Sequence, residues 1–224
     1  MFFATTYKLW LKYYPVFLRG LGGTLWISAV TIVFGSILGL IVAAMRMSRI
    51  RPLNAVASAY VEVLRGTPVL LQLYFFWIGL PKLFPALGMT DTQSVVCALV
   101  INASAYISEI IRAGIQSIDG GQTEAARSLG MTQGQNMRYI VLPQAIKNIL
   151  PAIANEFVTI IKESSICWTI GVQEIMSAVN SVKAATFSIA EPLIIAACVY
   201  FCLTFPTSKI IEYFERKMSR GDKR

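Results

Sequence analysis

Ionisable and amide side chains recur at helical spacing inside two of the most apolar stretches of the chain. In the first, Asn102, Tyr106 and Glu109 stand at i, i+4 and i+7, which puts them on one helix face. In the second, Asn155, Glu156, Thr159, Lys162 and Glu163 share roughly a third of a helix circumference at ~100° per residue. Charge withdrawn from water is costly, so groups of this kind in an apolar setting are candidates for handling a polar solute. Two such stripes facing each other make a hydrophilic path. Simpler pairings are also open: Lys162 with Glu109 or Glu156, and Glu62 with Arg65 three residues on. Ser164 or Ser165 beside Lys162 suggests a nucleophilic dyad. Residues adjacent on a helix do not face each other, however, so no catalytic residue is assigned.

The elements that position these residues are membrane helices. Of the 224 residues, 55% are hydrophobic and 14% charged, with mean hydropathy +0.60; a soluble domain is about a quarter charged. Apolar runs at 24–45, 53–80, 92–116, 152–170 and 189–211 are of a length that crosses ~30 Å of hydrocarbon. An all-α integral membrane fold of about five spans is predicted. An odd number of spans puts the termini on opposite sides. With the N-terminus outside and the C-terminus in the cytoplasm, thirteen of the twenty lysines and arginines lie inside, as the positive-inside rule requires. The net charge of +8 therefore reads as topology and not as nucleic-acid binding. Residues 1–20 carry Lys8, Trp10, Lys12, Tyr13 and Tyr14 with no signal-peptide pattern, and read as an interfacial amphipathic segment. Residues 21–216 form the transmembrane domain and 217–224 a basic cytoplasmic tail. Cys97, Cys167, Cys198 and Cys202 all lie in apolar sequence, and the chain has no histidine, so neither disulfides nor a metal site is expected.

Three local signals shape the spans. Gly35, Gly39 and Ala43 form a small-residue seam suited to close helix packing in lipid. Arg65-Gly66-Thr67-Pro68 predicts a break within the second run. Between the third and fourth runs, the polar stretch 117–143 reads as two short helices. Asp119 with Gln122 and Thr132 with Gln135 are capping-box pairs, Gly130 is a left-handed stop between them, and Pro143 is expected to end the second helix. The first helix is expected to expose Ala125 and Ala126, with Met131 beside the glycine elbow.

Glu124-Ala125-Ala126, three residues, Gly130, nine residues and Ile140-x-Leu142-Pro143 together resemble the EAA loop of ABC-importer membrane subunits. "TLWIS", "EVLRGTPVLLQLYF", "SAYISEIIRAGIQSI" and "LPQAIKNILPAIANEFVTIIKESSI" are similar to the polar amino-acid branch, the permeases for histidine, glutamine, glutamate and arginine. Asp119-Gly120 departs from the Pro-Lys-like pair usual there. The resemblance implies a type I importer fold in a bacterial inner membrane. It also implies that Glu124, Ala125, Ala126, Arg127, Ser128, Leu129, Gly130 and Met131 meet a cytoplasmic ATPase subunit. ATP and Mg would be bound by that subunit, since no G-x-x-x-x-G-K-[ST] occurs in this chain. A second copy or a homologous permease, an extracytoplasmic solute-binding protein, an amino-acid substrate and membrane lipid complete the implied partners. Asn102, Ser104, Tyr106, Glu163 and Ser164 are then candidate contacts for the amino acid, and an unpaired Glu163 favours arginine, lysine or histidine. An ion-gradient-driven transporter or channel is the alternative, and it gives no reason for the EAA loop.

Overall fold

The computed structural model describes residues 2–219, and these residues are almost wholly helical. α1 runs unbroken over Phe2–Arg46, 45 residues or about 68 Å at 1.5 Å per residue. The separate element expected over 1–20 is thus the first half of one long helix. Its apolar residues Leu9 and Phe17 pack into a cluster with Ile175, Val179 and Ile195 of later elements, so neighbouring protein continues the helix past Pro15. The tail 217–224 lies outside the described residues from position 220 onward.

The break at Gly66 is real. α2 (Arg51–Gly66) and α3 (Val69–Tyr74) meet at a bend of 108°, where Pro68 cannot donate to the preceding turn. A π-turn over Phe75–Gly79, α4 (Leu80–Leu83) and a 3₁₀ turn at Pro85–Leu87 complete the return. α5 (Asp91–Gln116) is the hub against which α1, α2, α3 and α8 pack. The small-residue seam lies at its contact with α1: a Cβ built on Gly39 would sit 2.9 Å from Cβ of Ile107, and one on Gly35 3.1 Å from Cβ of Ala103. No larger side chain fits there without parting the helices.

α6 (Gly120–Ser128) and α7 (Gln133–Asn136) form the polar pair between spans. α7 does not end at Pro143. A π-turn over Met137–Val141 carries it directly into α8 (Leu142–Glu163), where Pro143 occupies the first turn, a position at which a missing N–H costs least. The expected fourth span, 152–170, is accordingly divided: α8 stops at Glu163 and a 3₁₀ segment, Ser164–Ile170, follows. α9 (Ile175–Thr186), between the fourth and fifth expected runs, begins on a Glu174–Ser177 capping box. α10 (Ala190–Ser219) closes the bundle. Among the described residues α1, α5 and α10 are each long and apolar enough to cross a membrane, and the bent α2–α3 pair makes a fourth. α8 is not in that group.

Candidate functional site

The polar pair is a capped, clasped elbow. Asp119 Oδ1 accepts from Gly121 N at 2.6 Å and starts α6 alone; the reciprocal bond expected from Gln122 does not form. At the other end Gly130 adopts φ +83°, Gly130 N donates to Arg127 O at 2.9 Å and Met131 N to Ala126 O at 3.1 Å. Those two bonds define a Schellman stop, whose left-handed residue penalises any side chain. Thr132 and Gln135 then form the expected capping box: Thr132 N donates to Gln135 Oε1 at 2.8 Å and Gln135 N to Thr132 Oγ1 at 3.3 Å. Asn136 Nδ2 reaches back to Thr123 Oγ1 at 3.1 Å and fastens the two arms. The outer surface carries Glu124, Ala125, Arg127, Ser128 and Leu129, the last 84% exposed, with Met131 half-buried. Ala126 corrects the sequence expectation. It is buried on the side where α6 lies against the π-turn.

Two contacts tie the elbow to the membrane helices. Arg49, between α1 and α2, donates to Gln133 Oε1 at the start of α7. Asn148 Nδ2 of α8 donates to Ser117 Oγ, just past α5, at 3.0 Å.

The two polar stripes do not face each other. α5 meets α8 through Ile107, Ile111, Ala145 and Ile149, and its polar stripe turns instead to the bent second span. Asn102 Nδ2 donates to Gln72 Oε1 at 3.0 Å, while Gln72 Nε2 donates to Leu64 O at 2.7 Å and to Thr67 Oγ1 at 2.9 Å. The amide chain thus satisfies the carbonyls freed at the break. Ser104 Oγ lies 2.7 Å from Tyr60 Oη and within 2.7 Å of Ile101 O. The Arg65 guanidinium stands over the Tyr106 ring, 5.5 Å from its centroid, and 3.6 Å from Glu109, so Arg65 pairs across helices and not with Glu62. Arg46 and Arg112 hold the same Glu109 carboxylate, which is therefore not the partner of Lys162.

On α8 the picture is reversed. Glu156 and Glu163, seven residues apart and half-buried, form no hydrogen bond or salt bridge among the described residues; they repel each other, and Glu163 feels the adjoining Lys162 charge. Ser164 is buried and donates to Ile161 O at 2.8 Å, which removes it from any dyad with the exposed Lys162. Of the five candidate solute contacts, Asn102, Ser104 and Ser164 are committed to internal bonds. Tyr106 and Glu163 keep open surface.

The family described as the binding-protein-dependent transport system inner membrane component matches residues 35–220. The chain belongs to that family. It is 44% identical over 210 residues, 93% of its own length and 94% of the relative's, to an arginine transport system permease protein of Bacillus subtilis strain 168. It is 37% identical over 208 residues to a probable glutamine ABC transporter permease of the same organism, covering 93% and 95% of the two chains. A crystal structure of an amino acid ABC transporter with histidines superposes with TM-score 0.89 at 45% identity, covering 97% of this chain and 98% of that one. A methionine ABC transporter in inward-facing conformations shares the fold, with TM-score 0.74, 19% identity and coverage of 91% and 96%.

This permease subunit of an amino-acid ABC transporter is a conduit and not an enzyme. Its sequence concealed one polar centre. Glu174, wholly buried, caps α9 by accepting from Met176 N at 2.7 Å and Ser177 N at 2.5 Å, and also accepts from Tyr200 Oη of α10 at 3.1 Å. α1 crosses directly over it: a Cβ on Gly23 would fall 2.0 Å from Gln173 O. The signal was present as an acidic residue three before a serine, at the start of a helix shorter than a membrane span.

Proposed function

We infer that the permease imports basic amino acids, with arginine, lysine and histidine as cargo, and that ATP hydrolysis in a separate subunit drives it through the α6–α7 elbow. The observation that carries the cargo assignment is the open carboxylate pair Glu156 and Glu163 on α8, which lacks a cationic partner across the bundle. A guanidinium, ammonium or imidazolium group supplies the missing charge. Relatives named for arginine and crystallised with histidines point to the same class. The elbow supports the drive: a capped and clasped polar knob with an exposed Leu129 is built to be gripped from outside. Two copies of the permease pair, each holding one ATPase subunit that binds ATP and Mg, and a solute-binding protein delivers cargo from outside the cell. The N-terminus lies on that outer side, and the elbow and C-terminus lie in the cytoplasm of a bacterial inner membrane. Nucleotide shifts the permease between states only through a difference in its affinity for them.

Cross-linking tests this. A Leu129→Cys chain co-expressed with a candidate ABC ATPase subunit is expected to capture that subunit. Gly130→Val, forced into a backbone region hostile to β-branched residues, is expected to insert normally and lose at least tenfold of ATP-driven arginine uptake, on the order of 1–2 kcal/mol of strain at the elbow. Failure to capture any ATPase, together with unimpaired uptake by Gly130→Val, ends the proposal.

A further inference from the structure

Three guanidinium groups converge on one carboxylate at the end of the bundle that carries the elbow. Arg46 Nη1 lies 2.5 Å from Glu109 Oε2, Arg65 Nη1 lies 3.6 Å from the same oxygen, and Arg112 holds Oε1. Two of the three guanidinium groups are shielded from water with the carboxylate, the Arg46 side chain 13% exposed, Arg112 31% and Glu109 22%, while Arg65 is 42% exposed. One negative charge cannot balance the two shielded positive ones, Arg46 and Arg112, and excess charge drawn out of water is costly unless an anion answers it.

A cavity of about 460 Å³ opens beside them, lined by Arg46, Met47, Asn54, Ser58, Arg112 and Gln116. Its walls hold two arginines and no carboxylate. Asn54 donates to Arg46 O and fixes one wall; Arg112 Nη1 donates to Gln116 Oε1 at 2.8 Å and fixes another. A guanidinium has five N–H donors, and Arg46, which lines the cavity, uses Nη1 alone on Glu109 and so keeps donors to spare. Arg49 and Arg51 follow in the adjoining turn, both exposed. Planar forks of this kind match the tetrahedral oxygens of phosphate better than any point charge does.

We propose that this cavity is a binding site for a phosphate group, as carried by an anionic phospholipid headgroup or by free phosphate. Its place suits a headgroup: it lies where α1 leaves its apolar run, where α2 begins and where α5 ends. Basic pockets between helix ends on one side of a membrane attract anionic lipid at that level. Glu109 is then an internal competitor that holds the guanidinium groups in place when phosphate is absent.

The test reads binding and not transport, so its outcome stands apart from that of the importer reading. The purified chain in mild detergent is challenged with phosphatidylglycerol, phosphatidylcholine, and inorganic phosphate against chloride at matched ionic strength; thermal unfolding and native mass spectrometry are the readouts. Phosphatidylglycerol is expected to raise the unfolding midpoint and remain bound, and phosphatidylcholine to do neither. A like effect from inorganic phosphate identifies the free ion as occupant; an effect confined to phosphatidylglycerol identifies the headgroup. Glu109→Gln removes the competitor and is expected to tighten binding about fivefold, a direction that a merely structural role does not produce. Ser58→Phe, which fills the cavity and leaves every arginine in place, is expected to abolish binding. Equal effects of the two lipids, no effect of either anion, or undiminished binding by Ser58→Phe would overturn the site.

Discussion

Asn102 on α5 and Glu163 on α8 are both polar groups in apolar helices, and the bundle treats them in opposite ways. The α5 stripe finds its partners inside the bundle: Asn102 is bonded to Gln72, Tyr106 sits under Arg65, and Glu109 is held by three arginines. The α8 stripe is left unsatisfied, with two carboxylates repelling each other. The lesson is that expense alone does not mark a transport residue. A buried polar group whose partners come from its own bundle braces the fold, and one whose partners are missing waits for something from elsewhere.

Substitutions can break that contrast. Asn102→Ala leaves Gln72 Oε1 buried without a donor, and is expected to destabilise the chain by about 1–3 kcal/mol, read as a lower midpoint in detergent. The pair Asn102→Leu with Gln72→Leu is expected to cost less than the sum of its single changes, because both partners leave together. Glu163→Gln is expected to shift the midpoint by no more than about 0.5 kcal/mol. Its effect falls on cargo: arginine uptake drops about tenfold relative to glutamine, the equivalent of ~1.4 kcal/mol of lost charge pairing. Arginine preference unchanged in Glu163→Gln would make α8 a second brace. Tyr60→Phe removes the contact to Ser104, and a loss of about 1 kcal/mol in stability with unchanged cargo preference is expected.

Features set by neighbours in sequence were legible beforehand. Gly130, the Thr132–Gln135 box, the break at Gly66 and the Gly35–Gly39 seam each follow from a few adjacent residues and stand where periodicity and capping chemistry put them. Features set by a distant partner were not. Helical spacing placed Asn102, Tyr106 and Glu109 on one face and said nothing of what that face would meet; Arg65 could not be matched to Glu109 across 44 positions. The burial of Ala126 depends likewise on where α6 lies against the π-turn. Pro143 misled for a different reason. A proline forbids one bond of an ordinary turn, and a π-turn just before it absorbs the loss without ending the helix.

That absorbed proline makes the inner arm of the elbow and the carboxylate-bearing helix one beam. From Gln133 to Glu163 the helix is continuous, interrupted by no loop, with a widened turn at Met137–Val141 and Pro151 inside α8. At 1.5 Å per residue the beam is about 46 Å long, so a rocking of some 5° at its foot sweeps its tip through about 4 Å. In the importer proposed above, leverage of that kind turns a small push at the elbow into a displacement the size of a side chain at Glu163.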